Sequence, residues 1–304
     1  MRLIKQELNI NFLGLRWGSL SLSAALVILG VVLYFTMGGL RYGIDFTGGT
    51  LVQVKLAEQH GIDELRDVMT SSGLGTFSLQ SFGEEGSNEF LITLAKSEEE
   101  REANESIGGR VENSLKSRFP SLEVRRIETV GPKVGEELKS QALEAVLFSL
   151  VAILIYIWIR FQWKYSLGAI VALTHDVLVV LAAFVLTQKE ISLPVVAGVL
   201  TVAGYSINDT IVIFDRIREN LKRFQKKSTL EVFNESINQT LSRTILTSGT
   251  TLFVILSIFL FGGEIINDFA FSLLIGVTIG TYSSIFVASP LVLILMKEAP
   301  QKSD

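Results

Sequence analysis

The sequence of residues 165–187 is YSLGAIVALTHDVLVVLAAFVLT, and this stretch decides the fold class. Its only strongly polar members near the middle are His175 and Asp176, and the residues around them are mostly apolar. An α-helix needs about 20 mostly apolar residues to cross roughly 30 Å of hydrocarbon. The stretch therefore predicts a transmembrane helix.

Five more apolar runs of similar length lie on either side of this one. The chain of 304 residues is 48% apolar and has a mean hydropathy of +0.43, which is high for a soluble protein of this size. The six predicted spans are 18–38, 141–159, 165–187, 191–214, 243–262 and 268–296. The first is full length, and no small-residue cleavage site follows it, so we interpret it as an uncleaved helix. The sequence thus predicts a polytopic α-helical membrane protein.

Basic residues between the spans predict the orientation, because lysine and arginine are enriched in cytoplasmic loops. They occur before the first span, between the second and third, between the fourth and fifth, and after the last. The two short connections on the other side contain one basic residue between them, Lys189. We therefore expect both termini in the cytoplasm and the long segment after the first span outside it. The predicted organisation is a cytoplasmic N-terminus with the first helix (1–38), an extracytoplasmic domain (39–140), the remaining five helices (141–296) with a basic cytoplasmic loop (215–240), and a tail (297–304).

The predicted extracytoplasmic domain has the pattern of a small α+β fold. Val52, Val54 and Leu56 alternate with polar residues, as on a half-buried strand, and Ile62 begins a helical spacing. A hairpin, a second helix and a last strand follow; Ser97 and Glu100 have the form of a capping box for that helix. The order β-α-β-β-α-β predicts a ferredoxin-like arrangement.

Composition excludes several classes of chemistry. There are no cysteines, so disulfides, thiol nucleophiles and thiolate metal sites are absent. No phosphate-binding loop of the G-x-x-x-x-G-K-[ST] kind occurs, and we predict neither a cofactor nor a metal site. Residues 39–140 carry an excess of acidic over basic side chains, which argues against nucleic acid or anionic lipid as a partner of this segment.

His175 and Asp176 are candidate functional residues because they lie at the middle of the third span. An ionisable side chain there costs at least about 2.5–3.5 kcal/mol on insertion scales and usually marks function. The alternative is a neutral pair that only hydrogen-bonds to a neighbouring helix.

A second polar group lies in the fourth and fifth spans. Ser206 and Asp209 are three residues apart and so share a helix face, with Asn208 beside them. Arg243 begins the fifth span at a similar depth, and Thr247 belongs to a threonine stripe that follows it. We interpret Asp209 and Arg243 as a pair that opens on protonation. A permanently closed structural ion pair is the alternative.

Three further motifs have structural interpretations. Asp45, Phe46, Gly48 and Gly49 follow the first span, where a tight junction or a functional motif would fit. Small residues four apart in the sixth span predict a packing seam: Gly276, Gly280, Ser284 and Ala288. Ser228 and Glu231 are predicted to cap a short helix in the basic loop.

Four motifs together resemble the SecF family, whose members belong to the resistance-nodulation-division superfamily. They are GIDFTGGT (43–50), THD (174–176), GYSINDTIVIFDRIREN (204–220) and LSRT (241–244). The resemblance covers essentially the whole chain and implies a non-enzymatic accessory subunit of the bacterial protein translocase, in the cytoplasmic (inner) membrane.

The resemblance also implies partners and residue roles. The implied partners are SecD, the SecYEG channel, YajC, an unfolded preprotein and membrane lipid, with the proton gradient as energy source. It places Asp209 and Arg243 in the proton pathway, and matches Asp45, His175 and Asp176 to other family motifs. Three alternatives stay open: half of a proton-coupled small-molecule or lipid exporter, a scaffold that uses no energy, and an intramembrane protease using Asp176 and Asp209.

Overall fold

The computed structural model describes residues 9–83, 86–94, 106–263 and 266–297. The chain divides into two compact units. One comprises residues 1–41 and 145–304, and the other comprises Tyr42–Glu144.

The first unit is a helical bundle. After a 3₁₀ turn (Leu13–Leu15), its long helices are α1 (Arg16–Thr36), the end of α5 (Pro132–Arg160), α6 (Trp163–Thr187), α7 (Leu193–Arg223), α8 (Thr229–Phe261), α9 (Asn267–Ser283) and α10 (Ser289–Lys297). A π-helical segment, Ser284–Ala288, joins α9 to α10, so that these two form one span. Within the described residues, six helical segments are long and apolar enough to cross a membrane. The six predicted spans are confirmed, and the chain is a multi-pass membrane protein.

Two of the helices are longer than their apolar runs. The segment 215–240 was expected to be a basic loop, but α7 continues to Arg223 and α8 begins at Thr229, leaving only 224–228 as the connection. The helices continue because their inner faces stay apolar: Ile217, Phe233 and Ile237 are fully buried.

The predicted cap is confirmed, although it begins a long helix. The Glu231 backbone N–H donates to Ser228 Oγ at 3.3 Å, and the Ser228 N–H donates to the Glu231 carboxylate at 2.9 Å. The two bonds satisfy donors that have no partner at a helix start. They set the first residue of α8 rather than that of a separate short helix.

The packing seam predicted in the sixth span is confirmed between α7 and α9. A Cβ placed on Gly276 would collide with the Val202 side chain, and one on Gly280 would lie 2.9 Å from Ser206 Cβ. Ser284 and Ala288 are fully buried. Small residues let the two backbones approach closely, which is a common way for membrane helices to associate.

Gly276→Ala is expected to destabilise this seam. The added methyl group has no space beside Val202, and overpacking of a closely packed site costs about 1–3 kcal/mol. The measurement is the thermal unfolding temperature of the purified chain in detergent. Gly204→Ala on α7 is the matched control, because nothing lies within 4 Å of a Cβ there. Equal unfolding temperatures for the two variants would contradict the seam.

The described residues of the second unit form one four-stranded antiparallel sheet and two main helices. Along the chain these are β2 (Gly49–Lys55), α3 (Ile62–Ser71), β3 (Phe77–Phe82), β4 (Glu89–Leu94), α4 (Ile107–Arg118) and β5 (Glu123–Val130). The short elements β1 (Arg41–Tyr42) and α2 (Ile44–Thr47) precede them, and β6 (Glu190–Ile191) lies in the other half of the chain. The strand order in the sheet is β3-β4-β2-β5. The predicted β-α-β-β-α-β succession is present.

One face of the sheet packs against α3 and α4. Val52 and Val54 of β2, Ile92 of β4, Leu65 of α3 and Leu115 of α4 are fully buried in the same apolar cluster. The alternation predicted for β2 is confirmed, since its inward residues are the valines.

The first turn of α4 differs from the prediction. The described helix begins at Ile107, and the Gly109 N–H donates to the side chain of Ser106 at 3.2 Å. The predicted capping box at Ser97 and Glu100 lies outside the described residues.

Candidate functional site

Two carboxyl groups are buried within the membrane-spanning helices. Asp176 of α6 is fully buried, and Asp209 of α7 is 3% exposed. A carboxyl group in hydrocarbon needs hydrogen-bond or charge partners, so the surroundings of each one decide what it can do.

Asp176 accepts hydrogen bonds from two other helices. Its Oδ2 accepts from Ser206 Oγ of α7 at 2.6 Å and from Ser283 Oγ of α9 at 2.7 Å. Its Oδ1 lies 3.0 Å from Nδ1 of His175. Asp176 therefore links three helices at one point. Both of its carboxyl oxygens have polar partners, namely two hydroxyl groups and an imidazole.

His175 contributes a second titratable group at the same point. Its ring is 6% exposed, and its Nε2 is buried without a hydrogen-bond partner among the described residues. The ring centroid lies 6.5 Å from that of Tyr282, whose hydroxyl donates to the Ser19 carbonyl of α1 at 3.0 Å. An imidazole nitrogen without a partner is able to bind a proton or a water molecule.

Asp209 has a sparser set of contacts. Its Oδ2 accepts from Ser248 Oγ of α8 at 3.3 Å, and Ser248 in turn accepts from Thr281 Oγ1 of α9 at 2.8 Å. Within the described part of the chain, Asp209 makes no ion pair. A buried carboxyl group held by one long hydrogen bond is suited to binding and releasing a proton.

The predicted pair of Asp209 with Arg243 is not formed. The Arg243 side chain is exposed and lines a cavity of about 330 Å³ beside Asp215, Glu219 and Gln239. Within the described residues, its guanidinium makes no ion pair with the Asp209 carboxyl. The rotation of α8 turns Arg243 away from the bundle interior, and Ser248, five residues further along α8, lies beside Asp209 instead.

Three other predicted residues differ in placement. Ser206 shares an inward face with Asp209, as expected, but its hydroxyl donates to Asp176. Asn208 is exposed, and the Thr247 hydroxyl donates to the Arg243 carbonyl of its own helix at 2.9 Å. Asn208, Arg243 and Thr247 thus lie toward the outer surface of this chain.

Sequence reasoning missed Ser248, Thr281 and Ser283. Ser248 lies four residues after Thr244 on the buried side of α8, so helical spacing was an available signal. Ser283 precedes the seam residue Ser284, whose own hydroxyl lies 2.9 Å from that of Thr210. Nothing local to α9 indicates that Ser283 meets a carboxylate from α6.

The junction motif, which comprises Asp45, Phe46, Gly48 and Gly49, makes close backbone contacts through its two glycines. Gly48 has φ +69°, and a Cβ there would lie 2.7 Å from Pro132 Cα; a Cβ on Gly49 would collide with the Leu94 carbonyl. Residues with a side chain rarely adopt such φ values, so glycine is required at both positions. Phe46 is buried, its ring packing edge-on against that of Tyr42, while Asp45 is half-buried.

Across the described ranges, no group of three or more His, Cys, Asp or Glu side chains is placed to hold a metal ion. The candidate functional groups are the two carboxyl centres, the imidazole and the surrounding hydroxyls.

Two family models match the chain. The model of the protein export membrane protein SecD/SecF, C-terminal region, matches residues 110–298, and the SecD/SecF GG motif matches residues 35–59. The second match includes Gly48 and Gly49, whose close backbone contacts are described above.

Relatives match over nearly their full length. The protein translocase subunit SecF of Desulfurispirillum indicum is 46% identical, with 92% of this chain and 90% of the relative covered. That of Vibrio alginolyticus is 40% identical, with 96% and 91% covered. The crystal structure of the translocon-associated membrane protein SecDF from Thermus thermophilus matches with a TM-score of 0.87 and 37% identity. The match covers 97% of this chain but only 40% of that one. On these matches, the chain belongs to the SecD/SecF family of protein-export membrane proteins, among the SecF translocase subunits.

Proposed function

We propose that this SecF-family chain couples proton movement through its membrane helices to the export of unfolded secretory proteins. The observation that carries the proposal is Asp209, a carboxyl group 3% exposed inside the bundle and free of any ion pair within the described residues. A carboxylate there without a counter-charge is unfavourable, so protonation changes its free energy strongly. Such a group responds to a proton gradient.

The energies are of a suitable size for this coupling. One proton moving down about 100 mV supplies roughly 2.3 kcal/mol. Inverting a two-state population from 1:99 to 99:1 needs about 5.5 kcal/mol. One or two protons at typical potentials can therefore bias one conformational change. Arg243 attracts the charged form of Asp209, and the Asp176–His175 centre supplies a neighbouring group that can exchange a proton.

The proposal includes an orientation and a name for the fold of the second unit. The strand order β3-β4-β2-β5 with all neighbours antiparallel supports a ferredoxin-like domain. The basic residues at alternate connections support cytoplasmic termini and an extracytoplasmic position for this domain, in the bacterial inner membrane. We assign it the gripping and releasing of an emerging unfolded chain.

SecD is the proposed partner within the membrane. The solved relative named SecDF is more than twice as long as this chain, which corresponds to 40% of it. Asn208 and Arg243 also lie on an outer surface of α7 and α8, where polar side chains facing lipid would be unfavourable. A second helical unit covering them removes that cost. SecYEG, YajC and the preprotein complete the proposed assembly, which needs no cofactor and catalyses no hydrolysis.

The test is reconstituted export with an imposed proton gradient. Vesicles contain SecYEG, SecD and this chain, or SecYEG alone, and the amount of protected preprotein is measured with and without the gradient. The gradient is expected to stimulate export only in the vesicles that contain the chain and SecD. More export in the vesicles with the chain and SecD, but no effect of the gradient, would support the scaffold instead. Proton flux stimulated by a small apolar molecule without SecYEG would support the exporter.

A further inference from the structure

Three exposed basic side chains line one open surface cavity near the end of α7, at the bundle end where α5 meets α6. The cavity has a volume of about 470 Å³, and its lining residues are Asp215, Arg218, Glu219, Lys222 and Arg223. Because residues 218 and 222 are four apart on α7, they lie on one helix face, one turn from each other.

The two acidic residues of this cavity are already neutralised. Asp215 pairs with Arg160 of α5 at 3.1 Å, and Glu219 pairs with Arg216 at 2.9 Å. Among the residues that the structure describes, Arg218 donates only to the backbone carbonyl of Arg160, at 3.3 Å. Within the described part of the chain, Lys222 makes no ion pair, and Arg223 lies over the ring of Phe224 at 5.3 Å. Among the described residues, these three cations therefore line one space with no carboxylate paired to any of them.

The neighbouring surface is typical of a membrane–water boundary. Trp158 is 64% exposed and Trp163 is 57% exposed, on either side of Arg160. Exposed tryptophan at the ends of apolar spans marks the depth of lipid headgroups. Ile159 is also exposed and offers apolar contact to an acyl chain. Since Arg160 contacts both Asp215 and Arg218, the cavity lies beside this boundary.

We propose that this cavity binds the phosphate group of an anionic phospholipid, with Arg218, Lys222 and Arg223 as its ligands. Arginine presents paired N–H donors that match phosphate oxygens, and lysine adds a point charge. The acyl chains lie along the exposed apolar surface of α5 and α6. This assignment is independent of proton coupling at Asp209.

The experiment measures lipid preference by tryptophan quenching. The full chain, with Trp17 and Trp158 replaced by Phe so that Trp163 alone emits, is placed in phosphatidylcholine nanodiscs containing a minor fraction of bromine-labelled lipid. The label is carried either by phosphatidylglycerol or by phosphatidylcholine. Labelled phosphatidylglycerol is expected to quench Trp163 more strongly at equal amounts, because each Lys or Arg near an anionic surface adds attraction.

The preference is expected to fall about tenfold, to near one, in the Arg218→Gln, Lys222→Gln, Arg223→Gln variant. The Lys222→Gln, Arg223→Gln variant, which keeps the Arg218 contact with α5, is expected to lose most of it. The charge-matched control is Arg66→Gln, Lys116→Gln, Arg125→Gln, three exposed residues of the other unit, and it should keep the wild-type preference. No preference in the wild type, or the same preference in the triple variant, overturns the proposal.

A further arm separates lipid from free phosphate. Inorganic phosphate is added in excess, with sodium chloride at the same ionic strength as the comparison. Equal effects of the two salts support a lipid site. If phosphate removes the preference for phosphatidylglycerol and sodium chloride does not, the cavity is a site for the free ion. That result overturns the lipid assignment.

Discussion

Asp209→Asn is expected to abolish the stimulation of export by a proton gradient, bringing the ratio of export with and without the gradient to about one. Asparagine has nearly the same shape and can still accept the hydrogen bond from Ser248, so the bundle is expected to assemble. It cannot bind or release a proton, so the gradient no longer acts on this position. The measurement is the reconstituted export assay, combined with the unfolding temperature of the variant.

The matched control for this prediction is Asp215→Asn. Asp215 lies on the same helix, but its carboxylate is about two-fifths exposed and pairs with Arg160. Stimulation by the gradient is expected to be unchanged in this control. Normal stimulation in Asp209→Asn, with the chain assembled, would refute the coupling role and favour the scaffold.

Asp176→Ala is expected to destabilise the bundle by several kcal/mol. The substitution leaves the Ser206 and Ser283 hydroxyls without their shared acceptor and removes the partner of His175. Ser283 can still donate to the Gly280 carbonyl at 3.2 Å, but Ser206 and His175 lose their partner, and each buried polar group left without one costs about 1–3 kcal/mol. The expected result is a much lower unfolding temperature in detergent and less protein in the membrane.

Two further variants separate the structural role of Asp176 from a role in proton transfer. Asp268→Ala removes a partly exposed carboxylate paired with Lys189 at 2.6 Å, and such pairs contribute about 0–1 kcal/mol. Asp268→Ala should therefore change the unfolding temperature very little. An equally small change in Asp176→Ala would show that the contacts of Asp176 are not important for stability.

Asp176→Asn keeps one acceptor oxygen but cannot be ionised. Normal stimulation of export in this variant would restrict Asp176 to structure.

Local sequence determined the membrane spans and the order of elements in the second unit. Long apolar runs must become helices in a bilayer, because hydrocarbon offers no partner to a free backbone group. Alternation in β2 and helical spacing in α3 likewise follow from which side of each element is buried. The sequence also indicated where glycine is needed, at positions 48, 49 and 276. Only glycine fits a positive φ or such a close approach of a neighbouring segment.

The candidate functional residues were identifiable from the sequence, but their partners were not. Asp176 and Asp209 stand out because a charge in hydrocarbon is costly wherever the neighbouring helices lie. A serine or threonine in a membrane helix is different, because it can donate to its own helix or to another. Thr247 bonds to its own backbone, whereas Ser248, the next residue, reaches Asp209.

Only the tertiary structure decided these pairings. It placed Ser206 on Asp176 rather than on Asp209, brought Ser283 to the same carboxylate, and left Arg243 on the outer surface. The physical reason is that depth and periodicity follow from each helix alone. The rotation of a helix about its axis, and the neighbour that its polar face meets, result from the packing of all the helices together.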